Sequence, residues 1–191
     1  MIEDLRKKVK AMMGNDPVFG YPHVERVVQN AKLLADMIGG NEFIVECAAL
    51  LHDIGYDGKN MPTHAEEGAI KAGDILRELG FTADVRERIM KCVLRHDYNV
   101  WVRTGKPATI EEKIISDAEN LERCSPQGII KFVIYASRTP SYKDAGDILR
   151  AASNYVFKAF NSLFFEESRK LALKNRERCK EFLEEIATNV S

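Results

Sequence analysis

Apolar residues recur at helical spacing along almost the whole chain, and no run alternates apolar with polar residues between hairpin turns as a strand would. The pattern predicts an all-α protein. Val24, Val27, Val28, Ala31, Leu34, Ala35 and Ile38 form one stripe of a helix that follows Pro22 and stops at Gly39-Gly40. Residues 42–53 are apolar nearly all round, from Phe43 to Leu51, which marks a helix buried inside a bundle, with His52 and Asp53 at its end before Gly55. A glycine-containing loop over 55–62 leads to Thr63 and Glu66, a capping-box pattern that opens another helix with His64 in its first turn. Further helices are expected over 83–96, 109–123, 127–137, 142–164 and 166–187. Thr109 with Glu112 is a second capping box, and it sets Asp117 two turns into its helix.

The long carboxy-terminal pair carries a stripe of Leu149, Ala152, Tyr155, Val156, Ala159, Phe160 and Leu163. Leu171, Leu173, Phe182, Leu183 and Ile186 pack back on the bundle or, as the alternative, form a homodimer interface. No repeat, low-complexity tract or linker interrupts the 191 residues, so one domain over 1–191 is expected, with roughly 70% of the unfolded surface buried at this size.

Composition narrows the function classes. Hydrophobic residues at 45% and charged residues at 30% exclude disorder and a disulfide scaffold. A formal net charge of −1, without a dense Lys/Arg cluster, argues against an obligatory nucleic-acid partner. The first ten residues, MIEDLRKKVK, mix charge with apolar positions and do not read as a leader, and the longest apolar stretch, 43–51, is too short to span a bilayer. Cys47, Cys92, Cys124 and Cys179 are widely spaced, as reduced core thiols of a cytoplasmic protein would be.

Candidate chemistry resides in the histidines. All four stand at or near expected helix ends, and two are followed directly by aspartate, at His52-Asp53 and His96-Asp97. Their order is more specific than any one of them: His23 in PHVERV, His52-Asp53 in ALLHDIG, then Asp117 in IISDAENL. This H…HD…D series resembles the HD superfamily of metal-dependent phosphohydrolases. Within it the chain is most similar to small stand-alone members that include nucleotide pyrophosphatases, through PHVERV, HAEEGAIKAGDIL, VLRHD, KIISDAENLE and GIIKF, over roughly residues 21–132 and more loosely 165–182. It departs from them at Asn120, where relatives often carry a basic residue, and at Glu122, where they often carry aspartate.

The resemblance implies a helical bundle of the HD type in which His23, His52, Asp53 and Asp117 hold a divalent ion. Two neutral imidazoles and two carboxylates suit Mn²⁺, the favoured ion, or Fe²⁺, Co²⁺, Ni²⁺, Zn²⁺ or Mg²⁺, and leave positions for water and a phosphoryl oxygen. Asp53, or a group just outside the ligand set, is then also expected to help accept the water's proton. The reaction implied is cleavage of a phosphate ester or anhydride of a small phosphorylated substrate, a nucleotide by preference. A phosphodiesterase, an iron oxygenase on the same fold, or a non-catalytic metal-binding signalling module are the alternatives. In this family His64 and His96 either touch the substrate phosphate, the preferred reading, or complete a second metal site. His64 at a helix amino terminus suits an anion, and His96 has the bland alternative of a carboxy-terminal cap. Arg26, one turn after His23, and Lys59 in the following loop are the substrate contacts named, against ordinary solvated charge. Tyr98 and Trp101 either stack on a base or pack their own loop.

Overall fold

A computed structural model describes the backbone of residues 1–58 and 62–189, and the side chains of those up to 186. Among the described residues there are ten α-helices and no strand. They are α1 (Ile2–Met13), α2 (Tyr21–Ile38), α3 (Glu42–Leu51), α4 (His64–Glu78), α5 (Ala83–Leu94), α6 (Trp101–Thr104), α7 (Ile110–Arg123), α8 (Pro126–Ser137), α9 (Ala145–Asn161) and α10 (Glu166–Asn189), with a 3-10 turn at Tyr98–Val100. No described helix is long and apolar enough to cross a membrane.

The chain forms two compact units, Met1–Glu119 and Asn120–Ser191. In the first, α2 packs on α3, α3 on α5, and α5 on α4. The all-round apolar character of α3 has its physical reason here: Ile44, Val45, Cys47, Ala48, Ala49, Leu50 and Leu51 are all buried. The amino-terminal segment, for which the sequence pattern names no element, is helix α1; it buries Leu5 and Val9, a single i,i+4 pair, so its apolar stripe is narrow. Arg6 fastens it, bonding Glu25 and, at 2.5 Å, Glu46. In the second unit Ile129, Phe132, Ala136, Ala152, Val156, Cys179 and Leu183 of α8, α9 and α10 make the core, with Tyr142 and Tyr155 against Phe132.

Two details of local structure position the site. The Asn41 side chain accepts from the Ile44 amide and starts α3, whose far end therefore delivers His52 and Asp53 into the interior. Gly55 then lies against the first turns of α4. A Cβ there would stand 2.3 Å from the His64 carbonyl oxygen and from the Gly68 amide nitrogen, so only glycine lets the turn after Asp53 close on the helix that carries His64.

The capping boxes form only in part. Thr63 makes no side-chain cap; its hydroxyl donates to Glu67 at 2.6 Å, and the Glu66 carboxylate accepts from Arg103. At α7 the Glu112 amide does donate to the Thr109 hydroxyl, at 3.2 Å, while the Glu112 carboxylate turns to the Ala108 amide and to Arg95, at 2.8 Å each.

Candidate metal centre

Every histidine of the chain converges on one carboxylate. His23 comes from the first turn of α2, His52 and Asp53 from the end of α3, His64 from the start of α4, and His96 from just beyond α5. All five side chains are buried, Asp53 to within 4% of complete. The Asp53 carboxylate divides its two oxygens. Oδ2 lies 3.3 Å from His23 Nε2 and 3.4 Å from His52 Nε2. Oδ1 lies 3.4 Å from His96 Nε2 and 3.6 Å from His64 Nε2. The paired imidazoles face each other, His23 and His52 at 3.0 Å between Nε2 atoms, His64 and His96 at 3.2 Å.

Among the described residues, two groups of three donors lie close enough together to share an ion: His23, His52 and Glu119, and Asp53, His64 and His96. Glu119 Oε2 stands 3.4 Å from His23 Nε2 and 3.7 Å from His52 Nε2. Asp117, the residue the H…HD…D series points to, is fully buried on α7 and belongs to neither group. Residues two apart on a helix point about 200° away from each other, so α7 presents these two acids to different neighbours.

The chemistry of the donors fits a cation. The Nδ1 atoms of His52 and His96 lie 2.8 Å and 2.7 Å from the carbonyl oxygens of Ala49 and Val93. A carbonyl only accepts, so each Nδ1 carries the proton and, in the neutral ring, each Nε2 offers a lone pair. The Nε2 atoms of His52 and His96 and the carboxylate oxygens beside them are thus acceptors facing one another, an arrangement that a shared cation would stabilise. The spacings agree. Donors around a six-coordinate ion with bonds of about 2.1 Å stand about 3.0 Å apart when adjacent and about 4.2 Å apart when opposed, and the separations among the Nε2 atoms and carboxylate oxygens given above fall in that span. When the inward Nε2 atoms instead carry protons, burial still raises the Asp53 carboxyl, but the charge of His52 and hydrogen bonds from His23, His52 and His96 outweigh it and hold the group well below the usual carboxylate range.

The remaining sequence-named residues are placed as follows. Arg26 is half-buried on α2, one turn after His23. Lys59 lies outside the described residues. Trp101 donates its indole N–H to the Arg95 carbonyl at 3.0 Å and meets Tyr98 edge-on, so the pair packs its own loop. That loop is fastened further by Arg95 to Thr104 and by Arg103 to Glu66 and the Pro62 carbonyl. Asn120 is fully buried, and neither end of its amide meets a hydrogen-bond partner among the described residues. The four cysteines are buried, and burial pushes the Cys47 thiol up to about 12.

An all-helical frame that gathers histidines and carboxylates into one buried centre defines a metal-binding helical protein. The profile of the HD domain matches residues 20–124, more than half of the sequence, and the chain belongs to that family. It is 36% identical over 110 residues to a Picrophilus torridus protein named tRNA (cytidine(56)-2'-O)-methyltransferase, a match covering 52% of this chain and 30% of that one. It is 26% identical over 136 residues to Bacillus subtilis YpgQ, covering 70% of this chain and 65% of the relative. The matches thus span less than two thirds of either relative. Among solved structures, that of YpgQ in complex with ADP superposes with a TM-score of 0.76 at 17% identity, over 100% of this chain and 98% of the other. A Bacillus thuringiensis HD-superfamily hydrolase gives 0.73 at 23% identity, over 98% and 95%. At these identities the superpositions establish the fold.

Proposed function

We propose that the chain is a metal-dependent phosphohydrolase that cleaves a phosphate ester or anhydride of a nucleotide, with two divalent ions, Mn²⁺ foremost, in its working state. The observation that carries the reading is the Asp53 carboxylate, which joins two pairs of buried imidazoles through its two oxygens. His23, His52, Asp53 Oδ2 and Glu119 would hold one ion, and Asp53 Oδ1, His64 and His96 the other. Bound there, such ions would lower the pKa of a coordinated water and neutralise charge on a phosphoryl group.

The chain's own residues do the rest. Backbone carbonyls fix the tautomers of His52 and His96, so both rings are ready as ligands. Burial of the donors keeps competing water away and strengthens each electrostatic contact. Both Asp53 oxygens face imidazoles, which suits holding the centre more than accepting a proton. His64 and His96, placed against Asp53 Oδ1, favour the metal role over the phosphate contact that the sequence reading preferred. Arg26 reaches for the substrate phosphate from the His23 helix, as the motif spacing suggests. The ADP held by the YpgQ structure supports a nucleotide as the substrate class.

A panel of nucleoside mono-, di- and triphosphates and simple phosphate esters, assayed for phosphate and pyrophosphate release with Mn²⁺, tests this. Metal-dependent turnover of at least one nucleotide, abolished by chelation, is expected. No turnover of any member contradicts the reading.

A further inference from the structure

We propose that Ser116 and Asn120 form a binding site for internal water on α7, a station that supplies the buried histidine–carboxylate centre with solvent; the supply role rests on the hydrolase reading above. Both side chains are fully buried, and among the described residues neither the Ser116 hydroxyl nor either end of the Asn120 amide meets a hydrogen-bond partner. A serine inside a helix can satisfy itself on the carbonyl four residues earlier, and Ser116 does not. Orphaned polar atoms in an interior cost free energy, and native interiors satisfy nearly all of them with protein or ordered water. Orphaned atoms on two neighbouring side chains of one helix therefore mark a bound group.

Helix geometry places the pair beside the centre. Round α7, Ser116 lies about 60° from Glu119 and about 40° from Glu112. Glu119 faces His23 and His52, and Glu112 Oε2 holds Arg95, the residue before His96, at 2.8 Å. Ser116 thus falls between the two points at which this face of α7 meets the histidine-bearing segments. Asn120 follows it by one turn, about 40° further round. Cβ atoms four residues apart on a helix stand about 5–6 Å apart, and one oxygen making two hydrogen bonds of about 2.8 Å spans that gap. The donor set selects the occupant. The hydroxyl and Nδ2 donate whereas Oδ1 only accepts, so a phosphoryl oxygen would leave Oδ1 unsatisfied, and water, which donates and accepts, satisfies both side chains. Each hydrolytic turnover consumes one water at a centre whose imidazoles are buried, so the solvent has to be held inside.

Oxygen-17 relaxation dispersion counts the waters held in a protein for longer than its tumbling time and is blind to exchanging hydroxyl protons. The metal-free double variant Ser116→Ala, Asn120→Leu, its helices confirmed by circular dichroism, should lose at least one long-lived water relative to the metal-free parent. A crystal structure of the Mg²⁺-loaded parent, which needs no variant, should show an ordered water bonded to both side chains. Ser116→Ala alone should keep the parental KM and Mn²⁺ affinity while kcat falls about fivefold, the worth of one hydrogen bond. A folded double variant with the parental water count, or a parent crystal with no water on Ser116 and Asn120, overturns the site. Ser116→Ala that loses the water with kcat unchanged overturns the supply role. A parent that turns over no nucleotide overturns the hydrolase reading instead, and the water count still decides the site.

Discussion

Replacing Glu119 with glutamine removes a carboxylate while keeping the side chain's length and one oxygen, so it asks which acid of α7 completes the His23–His52 site. Glu119 Oε2 is 3.4 Å and 3.7 Å from the two imidazole nitrogens. At an effective dielectric constant of about 20, unit charges 4 Å apart attract by about 4 kcal/mol, hence a dication and a carboxylate by about 8 kcal/mol. The retained amide oxygen and water in the vacated coordination position return the greater part. A residual loss on the order of 2–3 kcal/mol corresponds to about 100-fold in affinity, at 1.4 kcal/mol per decade. The assay is competition for Mn²⁺ against a chelating indicator, with far-ultraviolet circular dichroism to confirm the helices. Glu119→Gln should weaken the first ion by about 100-fold, and Asp117→Asn, which alters an acid outside both donor groups, should weaken it less. Glu119→Gln within about threefold of the parent, beside an Asp117→Asn that no longer retains the ion, would refute the geometric assignment and return the position to the acid the motif names.

Three further outcomes follow from the same geometry. His64→Ala or His96→Ala should lower the Mn²⁺ content from two ions per chain to one, read by elemental analysis after gel filtration; two ions retained with slower turnover would make these residues phosphate contacts instead. In metal-free protein the Asp53 carboxyl is held below its usual range, so its contribution to stability is complete above about pH 4 and is lost as the pH falls through the folded value. Urea denaturation at stepped pH should therefore show a shallower acid limb for Asp53→Asn, and an unchanged limb contradicts the coupling. Gly55→Ala forces a Cβ to within 2.3 Å of α4 backbone atoms. A cost of about 3 kcal/mol would lower the melting temperature by about 6–12 °C at this chain length, and a melt within 2 °C of the parent, by the same rule of about 2–4 °C per kcal/mol, would show that the turn can move.

Much of the fold was legible because helix periodicity and punctuation are local. Gly39-Gly40 ends α2 as the pattern implies, and the all-round apolar run at 43–51 is the buried helix α3. Helix α1 escaped because one buried pair, Leu5 and Val9, among many charges makes a faint stripe. The sequence also named all four histidines and Asp53. What it did not name is Glu119. Asp117 and Glu119 sit two apart in SDAENLE, and which of them faces the imidazoles depends on the rotation of α7, a tertiary property that spacing does not encode. The split of Asp53 between two imidazole pairs depends on α4 closing against Gly55, a contact between segments that local rules do not reach.

Anomalous scattering from Mn²⁺-loaded crystals, recorded on both sides of the manganese edge, tests the two-ion centre most directly. Two peaks per chain are predicted, one between Asp53 Oδ2, His23 and His52 and the other between Asp53 Oδ1, His64 and His96. A single peak at full loading, with His64 and His96 free of metal, would contradict the account.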